Sequence, residues 1–336
     1  MACSILESVT VSDESGGERP REGGMSEPGV NEFEAMTVSA DDAATQGMAL
    51  EARGQWASVL HRFVRNVQAM TGLITFVLLL IVSFVYTSLH TSAYSTISFT
   101  VNSPPSSSHL FGTNSIGIDM LAQILKGVLA DVQVAVMVAI MAVVIGTLIG
   151  SVSGYYGGKI DSTLMRFVDL ILVIPVLVVL VLLAHLVAQK ANNWFWLAII
   201  IGSLSWTYIA RLVRAEFLSL RERDFVEASR ALGASDWRII TRHLIPNAIG
   251  PIIVNATITI AGAIVLESTL SYLGLGIQPP NVSLGLLIEQ GQNSATTEYW
   301  LFVYPAAFLL LLIVSVFFIG DGLRSALDPR QSRVRS

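Results

Sequence analysis

Apolar residues run almost unbroken through six stretches of the chain, roughly 70–89, 128–153, 167–188, 194–213, 248–270 and 300–320. Each is close to the about 20 residues that a helix needs to cross a bilayer. Backbone polar groups in lipid must be satisfied within the segment, so six spanning helices are predicted. Ahead of the first, Trp56, Val59, Leu60, Phe63, Val64 and Val67 recur at steps of three and four, with Arg62, Arg65 and Asn66 between them. That spacing predicts an amphipathic helix within residues 51–69, either lying in the membrane interface or extending the first span. The expected architecture is an all-α integral membrane domain over residues 70–330.

Composition agrees: 53% of the 336 residues are hydrophobic, 13% are charged, and the mean hydropathy is +0.63. The net charge of −5 is an uneven average. Eleven of the 25 acids fall in residues 1–51, against two arginines. Residues 1–50, rich in Ser, Gly, Glu and Pro, lack a periodic apolar face and are expected to form a disordered acidic cytoplasmic tail. They also lack the basic start and apolar core of a signal peptide, so the first span is expected to direct insertion. Basic residues decide orientation. The segment up to and including Arg62 and Arg65, the turn with Lys159 and Arg166, Arg211 with residues 214–247, and the C-terminal arginines together hold eighteen of the twenty, leaving only Lys126 and Lys190 for the other side. Both termini and residues 214–247 are therefore predicted to be cytoplasmic. Residues 90–127, the short turn near Gln189–Asn193 and residues 271–299 then face outward. The first of these mixes β-branched and aromatic residues with Pro104, Pro105 and serines, and reads as an irregular loop long enough to cap a pore mouth.

Little here suggests bond chemistry. Cys3 is the single cysteine, and the histidines at 61, 90, 109, 185 and 243 have no paired metal spacing. No His-Glu-x-x-His or Gly-x-Ser-x-Gly motif occurs. "GYYGGKI" fails as a phosphate loop, with Ser153 at the first glycine position and Ile160 where Ser or Thr should follow Lys159. Gly154, Gly157 and Gly158 are read instead as a tight cytoplasmic turn. Arg166 and Asp169, at i and i+3, are expected to pair locally, with Asp161 nearby. Arg211, Arg214 and Glu216 are read in the same way. Glu267 is an acid late in an apolar span. It either lines a pathway or gate, or sits at the outer water interface and holds the "LSYLGLG" turn, where Gly274 and Gly276 should break the helix.

The polar stretch "EASRALGASDWRIITRHLIPN" (227–247) is longer than a connector needs to be. Residues 223–232 predict a short helix with Phe225, Ala228 and Leu232 on one face, ended by Gly233 in a left-handed conformation. Ser235 or Asp236 then caps a second helix, 237–245, with Trp237, Ile240 and Leu244 on a face opposite Arg238 and Arg242, and Pro246 stops it. Topology explains the basic residues. It does not explain Glu227 among the small residues Ala228, Ser229 and Ala231, which suit insertion into a partner's groove. DNA reading is not expected of a loop tethered between two spans.

Glu227, Ala228, Ser229, Gly233 six residues after the glutamate, and Leu244-Ile245-Pro246 resemble the EAA loop of ABC-transporter importer permeases. Ser229 replaces the usual second alanine, and His243 stands where isoleucine is general. "GYYGGKIDSTLMRFVDLILVIP" (154–175), "WTYIARLVRAEFLSLRERDFVEASRALGAS" (206–235), "ESTLSYLGLGIQPP" (267–280) and "GDGLRSALDPR" (320–330) are similar to the dipeptide and oligopeptide permease subfamily, of the second-subunit kind. The likeness covers roughly residues 56–330. The outer "FGTNSIGID" and "GVLADVQ" depart from the subfamily pattern at Asn114, Ile118 and Leu129.

The resemblance implies a type I ABC importer permease fold. It implies a homologous second permease subunit forming a heterodimer, two cytoplasmic ATPases that bind ATP and Mg outside this chain, and an extracytoplasmic solute-binding protein. It places ATPase coupling on Asp224, Glu227, Ala228, Ser229, Arg230, Gly233 and Pro246, with Glu267, Arg166 and Asp169 as candidates for the pathway or gate. The expected cargo is a short peptide. Nickel, haem, a glutathione-like solute, an exporter, or a stand-alone channel or secondary transporter are the alternatives; the last would call for two repeated halves, and no such repeat is seen.

Overall fold

The structure, a computed structural model, describes residues 55–90, 93–97, 100–187 and 194–327. The expectations for the acidic tail, for the turn near 189–193 and for Arg330, Arg333 and Arg335 lie outside the described residues.

Helix α1 (Gln55–Arg65) ends where Asn66 leaves helical geometry and caps α2 (Val67–Leu89), its Oδ1 accepting from the Ala69 N–H at 3.2 Å. The amphipathic segment is thus a separate helix, not an extension of the span. Its Val59 and Phe63 pack against Met70 and Leu73 of α2 and against Leu323 and Ala326, while Leu60 and Val64 stay exposed.

Irregular chain after α2 ends sooner than the 90–127 expectation, because α3 (Met120–Tyr156) starts at Asp119, whose side chain caps the Ala122 N–H at 3.0 Å. At 1.5 Å per residue α3 is about 55 Å long, well beyond a hydrocarbon core of about 30 Å. The apolar run expected at 167–188 is not one helix. Instead α4 (Gly158–Val173) and α5 (Val176–Val187) meet at an 81° bend. Pro175 has no N–H to continue the ladder and holds Ile174 in extended geometry, so the bend is local and steric. Then follow α6 (Trp194–Leu220), α7 (Asp224–Ala231), α8 (Asp236–Ile239), α9 (Ile245–Tyr272), α10 (Leu284–Gly291) and α11 (Trp300–Leu327). Among the described residues, five helical segments are long and apolar enough to cross a membrane, with a sixth crossing if the bent pair counts as one.

Pro246 does not stop the second helix of the loop. A π-helical turn, Ile240–Leu244, joins α8 to α9 in one continuous rod, with the Ile245 N–H bonding to the Ile240 carbonyl. The wider turn relieves the proline: Pro246 stands in the first turn of α9, where its missing donor costs little.

The most extensive pairing is α3 with α6. Gly146, Gly150 and Gly154 form a stripe at every fourth position of α3, and α6 lies directly on it: a Cβ on Gly150 would sit 2.5 Å from the Ala210 carbonyl oxygen. Small residues in register let two backbones approach where lipid supplies no hydrophobic drive. Gly154 therefore belongs to this helix contact and not to the turn, which is made by Gly157 and Gly158 at φ +64° and +56°. One buried cluster, including Ile124, Val138, Ile201 and Ile264, fills the half of the bundle away from residues 221–246. A second, with Phe217, Val226, Ile239 and Leu244, fills the half beside them.

Candidate functional site

Residues 221–246 fold as a two-helix projection. Helix α7 ends in a Schellman-type turn: the Ala234 N–H reaches the Ser229 carbonyl at 3.1 Å, the Gly233 N–H reaches that of Arg230 at 2.9 Å, and Gly233 has φ +77°. The terminator is as expected, and the packing shows which face turns inward. Val226 is the residue α7 buries, and Ile239, Ile240 and Leu244 do the same for the second helix. Phe225, Ala228 and Leu232 point away, as does Trp237, and Leu232 and Trp237 are 88% and 70% exposed. Asp224, Glu227 and Pro246 are exposed as well, so the projection presents acidic and apolar groups together. Ser229 instead turns its hydroxyl onto the Phe225 carbonyl at 2.7 Å.

Three contacts pin the projection to the end of α3. Tyr155, buried, donates its hydroxyl to Asp236 Oδ1 at 2.7 Å, and the Arg230 guanidinium lies 5.3 Å from the centre of the Tyr155 ring. Arg221 donates to the Gly154 carbonyl at 3.4 Å. A push on α7 thus reaches α3 through polar contacts and α6 through the apolar seat of Val226 against the Phe217 cluster.

The charged groups of α4 pair across helices, not along their own. Asp169 bonds Arg211 of α6 instead of Arg166, because Arg211 approaches from the facing helix while the i, i+3 partner does not close the pair. Asp161 takes two bonds from Arg214, one at 2.6 Å from Nη2, and one from Ser153. These two pairs hold the α4 arm of the bent segment to α6.

Glu267 lies at the opposite end of α9 from the projection and is fully buried, not at a water interface. Ser271 Oγ donates to it at 2.6 Å and Ser268 Oγ at 3.3 Å. Ser271 also accepts the Ile277 N–H at 3.0 Å, so Glu267 does brace the turn that follows the helix, where Gly274 has φ +76°. The structure brings Glu267 together with Asp131 of α3 and keeps it apart from Arg166 and Asp169. Asp131 was missed in the sequence, although an acid inside an apolar run is the very signal that drew notice to Glu267. Tyr155 and Asp236 were missed too, since no spacing rule joins positions 81 residues apart.

The departures at Asn114 and Ile118 serve a built turn. Asn114 Oδ1 accepts the Ile116 and Ile118 N–H groups at 3.1 and 2.8 Å, and its amide donates to Gln123 Oε1 at 3.1 Å. This turn lines a cavity of about 460 Å³ with Tyr94, Pro280 and Gln290.

The spanning helices thus carry a projection that is pinned to the end of α3 and leaves acidic and apolar groups exposed. Residues 146–333 match the family described as binding-protein-dependent transport system inner membrane component, and residues 54–105 match the N-terminal TM domain of oligopeptide transport permease C. The chain belongs to that inner-membrane component family. It is 40% identical over 278 residues to the oligopeptide transport system permease protein OppC of Mycobacterium bovis, covering 82% of this chain and 95% of the relative. The proteins of that name from Escherichia coli K12 and Bacillus subtilis are 38% and 34% identical, covering 85% and 89% of this chain and 95% and 97% of theirs. A chain from a structure of inward-facing conformations of the MetNI methionine ABC transporter superposes with a TM-score of 0.51 at 20% identity, covering 62% of this chain and 98% of that one. That likeness shows a shared fold.

Proposed function

We infer that this chain is one permease subunit of an ATP-driven importer of short peptides. The observation that carries the reading is the exposed surface of the projection, which carries Leu232 and Trp237 as well as Asp224 and Glu227, although none of the described residues covers them. An apolar patch of this kind, rimmed by charge, suits a protein partner. The family likeness supplies the partner's class, a cytoplasmic ATPase that binds ATP and Mg itself, and the permease relatives supply the peptide cargo. The excess of Arg and Lys on this side supports a cytoplasmic position for the projection and both termini. A second, homologous permease would complete the pathway, and a solute-binding protein would deliver peptide at the opposite face.

Asp224, Glu227, Ala228 and Ser229 would enter the ATPase cleft, with Gly233 and Pro246 setting the shape of the projection and Arg230 tying it back to Tyr155. Closure of the ATPases on ATP moves the projection, and the Tyr155, Asp236 and Arg230 contacts carry that movement into α3 and, along the glycine stripe, into α6. The Asp169–Arg211 and Asp161–Arg214 pairs, with Arg166 beside them on α4, then act as the cytoplasmic closure that opens when α4 swings about Pro175. Glu267 keeps the outer turn in shape while this happens. The work of the chain is alternating access between two arrangements of the bundle.

The test is uptake of a labelled tripeptide into vesicles holding the co-expressed complex, with and without ATP. Wild type should accumulate peptide only with ATP and binding protein. Glu227→Ala and Gly233→Pro should lose uptake together with ATPase retention or coupled hydrolysis. Full uptake in both variants would refute the assignment.

A further inference from the structure

Asp131, the acid that meets Glu267, is not explained by transport coupling. Asp131 and Glu267 are both fully buried, on α3 and α9, and their carboxyl groups are in contact. Asp131 Oδ2 accepts the Leu284 N–H, the first of α10, at 3.4 Å. Its other oxygen, Oδ1, is buried without a donor. Glu267 is in the opposite position: the hydroxyls of Ser271, Ser268 and Ser283 all serve it. The groups that bear on the pair are thus the three serines, the Leu284 N–H and the two acids themselves. Lys126, on the same helix as Asp131, is directed at the Tyr94 ring, 5.2 Å from its centre, and neither it nor Glu289 of α10 bears on the pair. No cation among the described residues faces it.

Two adjacent carboxylates in such a place would repel each other with neither water nor a counter-charge to screen them. One proton removes both defects. Placed on Asp131 Oδ1, it turns the orphaned oxygen into a donor and gives the Glu267 carboxylate, already bonded by serine hydroxyls, one more bond. We propose that Asp131 and Glu267 form a binding site for a single proton, carried on Asp131 Oδ1 and donated to Glu267. The site ties α3, α9 and the start of α10 together at the end of the bundle away from the projection. With the proton bound, folded protein holds one more proton than the unfolded chain, so the site adds stability at low pH. That contribution begins to fall once pH passes the ordinary carboxylate range, where the unfolded chain ionises, and is gone where the proton leaves the folded site.

The test is infrared spectroscopy of the full chain, in its complex, in lipid nanodiscs at neutral pH, together with unfolding temperature against pH. Wild type should show a protonated-carboxyl band that shifts in deuterium oxide, and Asp131→Asn should abolish it. The amide that this substitution introduces would donate to Glu267 as the proton does, so the variant should keep its unfolding temperature and lose the alkaline decline seen in wild type. Glu267→Gln should be destabilised, since one of the two oxygens that the three serine hydroxyls share becomes an NH2 donor facing a hydroxyl. Absence of the band in wild type, its persistence in Asp131→Asn, or an unchanged alkaline decline in that variant would overturn the proposal. So would stabilisation of wild type, but not of Asp131→Asn, by calcium or sodium at alkaline pH, which would make the pair a metal-cation site.

Discussion

Removing one oxygen from Tyr155 tests how motion passes from the projection to the bundle. Tyr155→Phe keeps the ring under Arg230 and deletes only the hydroxyl that meets Asp236 at 2.7 Å. Hydrogen bonds to charged groups contribute about 1.5–3 kcal/mol. Asp236 is exposed and water can replace the lost donor, so a net loss of about 1 kcal/mol is the better figure here. That corresponds to a roughly fivefold rise in the population with the projection released from α3. Hydrogen exchange of amides in residues 236–245 reads this opening directly. Protection there should fall about fivefold, while amides in the middle of α3 and α6 stay as in wild type. Peptide uptake per ATP hydrolysed should fall in the same variant with the ATPases still attached. Unchanged exchange together with unchanged coupling would refute the role given to Tyr155.

Other perturbations give separate readouts. Gly150→Val puts side-chain atoms against the Ala210 carbonyl and Val213; overpacking of this kind costs about 1–3 kcal/mol, so the yield of folded protein and its unfolding temperature in detergent should both drop. Asn114→Ala leaves the Ile116 and Ile118 N–H groups and Gln123 without a partner, and limited proteolysis should cut near residue 116 faster than in wild type while the spans remain intact. Pro175→Ala restores the missing donor and should straighten the 81° bend, seen as a change in label-to-label distance between α4 and α5.

The spans were legible because long apolar runs have few alternatives in lipid. Their true ends were not. Gln123 and Lys126 interrupt the hydrophobic run and hid the first turns of α3, which are set by the Asp119 cap. Pro175 was in plain view, yet the apolar residues on both sides made the bend look like one span. In the projection, the break at Gly233 follows from local backbone chemistry and is legible for that reason. The choice of face is not local: Phe225, Leu232 and Trp237 look like core residues to any periodicity rule, and only the packed bundle shows that Val226 and Ile239 take that place. Cross-helix pairs such as Asp169 with Arg211 depend on which helices meet, and no spacing along the chain encodes that.

Docking of an ATPase on the face with Leu232 and Trp237 is the step on which everything else depends. A photo-cross-linking amino acid at Leu232, compared with one at the comparably accessible but distant Leu110, tests it most directly in cells that co-express the ATPases. Position 232 should give an adduct with an ATPase polypeptide and position 110 none, with the yield from 232 changing when ATP is trapped. No ATPase adduct from position 232, in a complex that still imports peptide, would contradict it.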